Sequence, residues 1–214
     1  MIESATGVIL RTRPLTETSL IVLWLTREFG RISTVAKGAR RSKSPFAGKL
    51  DLFYLADFSF SRSRRSELHA LREVSLRQTR RALRTDLDRL RQAAYCAELI
   101  TQTTETETPL PSVYDLMNGF LAHLVQNPSR PQTVFAFEVK LLKELGLSPD
   151  FAEGKLSAGT KGLLGKLEDM DWSVIARLKL SGAQTREVQQ FLHGFLIYHL
   201  ERIPGGRNAA LARN

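Results

Sequence analysis

Residues 35–50 read VAKGARRSKSPFAGKL and gather five cations, Lys37, Arg40, Arg41, Lys43 and Lys49, with two glycines, a proline and no acid. Side chains of this kind can hold a phosphate backbone without catalysing anything. Ammonium and guanidinium groups release the counterions condensed on a nucleic acid, and Gly38 lets the main chain approach it. The other arrangements that could do chemistry fail on spacing. GTKGLLGK, 159–166, resembles a phosphate loop, but five residues separate Gly159 from Gly165 where the motif has four, and Leu167 stands where a magnesium-binding Ser or Thr belongs. It reads as a helix-capping loop. His69, His123, His193 and His199 have no ligand spacing, and His199, on an apolar stripe, reads as a partly buried histidine. Cys96 reads as a small hydrophobe inside a helix, and Asp169 and Asp171 read as helix caps. With no nucleophile, acid–base pair or ligand set, the expectation is a protein that is not an enzyme and binds no metal or cofactor.

The charge is not evenly spread. Residues 1–81 carry 16 Lys/Arg against 7 Asp/Glu, which is the whole of the chain's +9, whereas residues 82–214 balance 15 against 15. A one-signed field raises the local concentration of a polyanion, so the first half is the half with a nucleic-acid partner. Arg11, Arg13, Arg31, Arg64 and Arg65 join the loop cations as candidate contacts. One cysteine excludes a disulfide within the chain and a cysteine zinc site. MIESATGVILRTRP lacks the pattern of a signal peptide and no apolar stretch approaches the ~18 residues of a membrane span, so a cytoplasmic location is expected.

The elements that must carry these residues change character along the chain. From residue 5 to about 76 the runs are short and period-two: 8–13, LIVLWL at 20–25, 31–36, LDLFYLADFSF and SELHALREVSL, with TREFG ending in Gly30 as a hairpin loop does. Five strands in about 70 residues suit a small closed barrel or a sandwich. In such a barrel Phe53, Tyr54, Phe58 and Phe60 belong mostly to the core, and only a minority are free to stack on bases. From about Thr79 the period becomes helical. Leu83, Leu87, Leu90, Ala94 and Ala97 make one stripe. Val134, Phe137, Leu141 and Leu145 make another before Gly146, and Val188, Phe191, Phe195 and His199 make a last one. Ser112 with Asp115 predicts a capping box, and SPDFAEGKLSAGTKG a loop.

These residues also carry a resemblance. RTRPLTETSLIVLWLTREFGRISTVAKGAR, 11–40, resembles the N-terminal signature of the bacterial recombination mediator family RecO, and AAYCAELI at 93–100, FEVKLLKELGLSPDF at 137–151 and GGRNAALAR at 205–213 resemble its later segments in order and spacing. The resemblance implies an α+β chain: a five-stranded oligonucleotide-binding (OB) barrel over 1–79, then an all-helical domain over 80–214. It implies a mediator that binds single- and double-stranded DNA, anneals complementary strands and, with RecR, helps load recombinase onto DNA coated by single-strand-binding protein (SSB). A barrel-type RNA-binding protein of translation or RNA metabolism is the alternative. Two departures stand out. The four-cysteine zinc module of many members is missing from residues 150–162. Phe135 and Ala136 replace the basic residues that help receive the acidic SSB tail, for which Lys140 and Lys143 are the substitutes expected here.

Overall fold

The computed structural model describes residues 1–151 and 156–212. Five strands come first: β1 (Ile2–Pro14), β2 (Leu20–Thr26), β3 (Gly30–Ala36), β4 (Leu55–Ser61) and β5 (Leu68–Gln78), closed in the order β1-β2-β3-β5-β4. All pairings are antiparallel except β3 with β5. β1 closes the barrel by serving two partners, β4 along Ile2–Val8 and β2 along Gly7–Pro14, and its register shifts between Ile9 and Arg11. Such a bulge bends a strand. Inside, Trp24 stacks on Phe58 at 4.0 Å and its indole N–H donates to Thr34 Oγ1 at 2.8 Å, which removes the cost of burying that donor.

After a 3₁₀ turn (Arg81–Leu83) come α1 (Leu87–Thr103), α2 (Pro111–Gln126), α3 (Pro131–Glu144), α4 (Ala158–Leu167), α5 (Trp172–Ile175), α6 (Gly182–Leu200) and α7 (Arg207–Leu211). Every residue of α3 from Pro131 to Val139 is buried, so it is the central helix of its unit. None of the described helices is long and apolar enough to cross a membrane.

The chain was expected to divide at 79/80. It forms two compact units, Met1–Arg81 with Thr104–Asp115, and Ala82–Thr103 with the chain from Leu116 on. The excursion of 104–115 into the barrel unit had no sequence signature, because TETETPLP has neither helical nor strand periodicity. It brings Glu105, Glu107 and Asp115 and no cation, lowering the barrel unit's excess from +9 to +6.

Several local expectations are corrected. LDLFYLADFSF is a strand only from Leu55; Phe53 has φ 64°, outside strand geometry, and its N–H and the Tyr54 carbonyl pair with Ile9. Helix α1 starts after Asp86, whose Oδ1 accepts from the Asp88 and Arg89 amides, and this restart shifts its phase. Leu87 and Ala94 are exposed, while Tyr95, Cys96, Leu99 and Ile100 are buried. Helix α2 begins at Pro111, whose fixed φ suits a first helical position, and Asp115 pairs with Arg27 at 2.6 Å instead of serving a capping box. GTKGLLGK lies within α4, capped by the Ser157 hydroxyl, and residues 152–155 of the expected loop lie outside the described residues. Asp171 precedes α5 without a side-chain cap, and Asp169 pairs with Lys143. In α6 the buried residues are Val188, Leu192 and Leu196, and His199 is exposed against Phe195.

Candidate nucleic-acid interface

The basic loop after β3 is built as a chain of tight turns. Arg41, Ser44, Ala47 and Lys49 each donate a main-chain N–H to the carbonyl three residues back, at 3.0–3.1 Å. Phe46, 7% exposed, inserts into the barrel core and anchors the loop from within. The loop is also tied to the β1–β2 turn: the Arg40 N–H donates to Thr18 O at 2.9 Å and its guanidinium to Thr16 O at 3.3 Å. Leu20 pairs with both Pro14 and Ala36, so Arg13 on β1 and Lys37 just past the end of β3 stand on either side of β2 at one end of the barrel. Lys37, Arg40, Arg41 and Lys43 are exposed there, and among the described residues Lys37, Arg41 and Lys43 have no acidic partner.

The other candidates separate. Arg11 is exposed on β1 and makes contacts of its own within the chain. Lys49 is half-buried and lines a recess of about 690 Å³ with Glu28, Asp57, Arg72 and Glu73, so it faces mixed charge. Arg64 and Arg65 are exposed on the β4–β5 turn, whose Ser61 pairs with Ile2, at the opposite end of β1. Arg31 is half-buried, with Nε donating to Thr104 Oγ1 at 2.7 Å and Nη2 to the Thr104 carbonyl. The aromatic candidates are core: Phe53, Phe58 and Phe60 are 1%, 3% and 0% exposed, and Tyr54 is half-buried.

Sequence reasoning missed Arg62. It pairs with Glu3 at 2.9 Å and with Glu107, and it lies 5.6 Å from the centre of the Phe29 ring. The hydrogen bonds to Glu3 raise the Arg62 pKa and lower that of Glu3. It also missed a buried cluster in the helical unit. Glu138 on α3, fully buried, accepts Arg207 Nε at 2.7 Å, Arg207 Nη2 at 2.9 Å and the Tyr95 hydroxyl at 2.6 Å. Burial works against the Arg207 charge, and the hydrogen bonds and charge of Glu138 outweigh it, so its pKa is raised. Burial likewise pushes the Tyr95 hydroxyl and the Cys96 thiol well up. Three of the four segments that carry the family resemblance thus meet at one carboxylate.

The expected tail receptors are engaged elsewhere. Lys140 Nζ donates to the Glu168 carbonyl at 2.9 Å and sits 5.9 Å from the centre of the Trp172 ring, and burial lowers its pKa. Lys143 is exposed and paired with Asp169. A second recess in the helical unit, about 480 Å³, is lined by Ser129, Arg130, Gln132, Leu178, Lys179 and Leu180, with Asp88 and Ala212 also at its wall. Gln132 is 2% exposed and its Oε1 has no hydrogen-bond donor among the described residues. No group of three or more His, Cys, Asp or Glu among the described residues could hold a metal ion.

A closed five-stranded barrel in this order, followed by helices, defines an OB-fold protein with an appended helical unit. Residues 1–80 match the family model described as Recombination protein O N terminal, and residues 84–154 the one described as Recombination protein O C terminal. The chain is 31% identical to the DNA repair protein RecO of Anaeromyxobacter dehalogenans (strain 2CP-C) over 92% of its own length and 91% of that protein's. It is 35% identical to that of Rhodopirellula baltica over 67% and 53%, and 33% identical to that of Bacillus pumilus over 70% and 58%. The chain belongs to the RecO family of DNA repair proteins.

Proposed function

We propose that this RecO-family protein binds single- and double-stranded DNA through the end of the barrel formed by the β1–β2 turn and the basic loop, anneals complementary strands, and acts with RecR to load recombinase on SSB-coated DNA. The observation that carries the DNA contact is the loop 37–43: four exposed cations on a backbone fixed by consecutive turns and by the buried Phe46. Because the barrel's aromatic candidates are mainly core, affinity rests on phosphate contacts rather than base stacking. That matches a mediator that must hold any sequence. Arg13, Lys37, Arg40, Arg41 and Lys43 are the contacts, with Arg64 and Arg65 a separate basic turn.

For the acidic SSB tail, the recess between Arg130 and Lys179 suits the chemistry better than Lys140 and Lys143. A tail of acids beside an aromatic needs cations rimming an apolar wall, which Arg130, Lys179, Leu178 and Leu180 supply. Titrating labelled single-stranded DNA, duplex and RNA at matched salt, followed by a strand-annealing assay, tests the reading. Binding to RNA alone, or no annealing above the spontaneous rate, overturns it.

A further inference from the structure

The segment 104–108, Thr-Glu-Thr-Glu-Thr, leaves the helical unit after Thr103 and lies on the barrel like an extra strand. β3 pairs with β5 only along Ser33–Val35, so Gly30–Ile32 has an open edge, and Thr106 bridges to Arg31 there in parallel. The Glu107 N–H donates to the Arg31 carbonyl at 2.8 Å, while the Arg31 guanidinium grips Thr104. The Glu107 carboxylate meets Arg62 with one oxygen and lies 2.9 Å from Nε2 of the buried His69 with the other. The His69 Nδ1 accepts from the Ser63 amide at 3.3 Å. Gly30, at φ 64°, is needed twice: for the turn, and because any Cβ there would stand 2.0 Å from the Thr108 carbonyl oxygen.

An acidic extended chain therefore occupies a site with two arginines and, beside Arg62, the half-buried ring of Phe29. The neighbourhood is the start of β3 and the base of the β4–β5 turn, a loop that in OB barrels characteristically contacts oligonucleotides. We infer that the barrel carries a second phosphate-binding site, at Arg31 and Arg62, which the chain's own segment 104–108 fills in place of a nucleic-acid strand. A phosphodiester chain offers the same arginines the acceptor oxygens that Thr104 and Glu107 now supply. The segment can give way because it buries no large apolar side chain: it consists only of threonine and glutamate and is held by polar contacts. Its outer anchor, Arg27 with Asp115, is exposed and survives the exchange.

This rests on the DNA-binding reading, and the test separates the two. Wild-type protein is first titrated with a labelled oligo-dT strand across salt concentrations; no binding would remove the DNA-binding reading itself. Glu107→Gln is then compared with wild type. Freeing one or two arginines steepens the log–log salt slope by ~0.7–1.4 and tightens binding by ~5–25-fold near 0.1 M salt, at ~0.7 per phosphate contacted. Unchanged affinity and slope in a folded Glu107→Gln protein overturns the inference. Should the variant misfold, wild-type hydrogen exchange decides: saturating oligo-dT is expected to speed exchange of the Glu107 amide. Exchange that stays the same or slows means that the segment is a fixed part of the barrel.

Discussion

The barrel unit and the helical unit treat charge in opposite ways. The barrel turns Lys37, Arg41 and Lys43 outward with no acidic partner among the described residues, whereas the helical unit takes Glu138 and Arg207, 0% and 4% exposed, into its interior and satisfies each with the other. The same residue type does two jobs, and what separates them is the partner. An exposed cation without an acid is available to a phosphate, while an arginine bidentate to a buried carboxylate is a structural fastener whose loss leaves a charge stranded.

The largest break in that contrast comes from the buried side. Arg207→Ala leaves Glu138 uncompensated and is expected to cost about 3–5 kcal/mol in urea or guanidinium unfolding. Replacing both partners with apolar residues of similar volume, Glu138→Leu with Arg207→Met, should recover most of that loss. If the single variant costs no more than a surface change, the cluster is not what holds α1, α3 and α7 together.

On the outward side the expectation reverses. Lys37→Ala, Arg41→Ala and Lys43→Ala together should leave stability within about 0.5 kcal/mol of wild type. They should also flatten the salt slope for single-stranded DNA by ~2, about a 100-fold loss near 0.1 M salt. A stability loss comparable to that of Arg207→Ala would mean that these cations pack rather than bind.

A third probe uses pH. Burial lowers the His123 pKa below its ordinary 6.5, with the Trp172 ring tilted against it at 5.4 Å and Thr133 Oγ1 3.4 Å from Nε2. The unfolded chain then binds the proton more readily, so stability that is fully present above pH 6.5 is lost as pH falls from there through the folded-state value. Denaturant midpoints for wild type and His123→Asn at pH 7.5 and 5.5 should show the larger acid-side drop in wild type. A parallel decline in both would place the effect on other groups.

How much of this was legible in the sequence depends on whether a signal is local. The strands, the left-handed Gly30 and the stop at Gly146 follow from period and turn chemistry within a few residues, and the charge split follows from counting. The phase of α1 was misread because Leu83 belongs to a separate 3₁₀ turn and Asp86 restarts the helix, so one apparent stripe joined two elements. Arg31 looked like its neighbours Lys37 and Arg40. Only the return of Thr104, 73 residues away, shows that its guanidinium is engaged. The Tyr95–Glu138–Arg207 cluster was out of reach for the same reason, although each of its three residues lies in a segment that carries the family resemblance.

The smallest expected effect concerns the tail of SSB, and it returns to the contrast between engaged and available cations. Lys143 is exposed, but its ammonium is paired with Asp169, and Lys140 holds the carbonyl of Glu168 beside Trp172. Both therefore fasten the corner between α4 and α5 to α3. In the recess at the start of α3, by contrast, Arg130 and Lys179 make no ion pair among the described residues and flank the buried Gln132. A labelled acidic tail peptide titrated against Lys143→Ala should give a dissociation constant indistinguishable from wild type, because an exposed pair of this kind contributes little to its surroundings. Arg130→Ala and Lys179→Ala should each weaken the peptide several-fold while leaving binding to bare single-stranded DNA unchanged. If Lys143→Ala weakens the peptide and the recess variants do not, the receptor lies on the outer face of α3. The ion pair with Asp169 must then open to admit the tail.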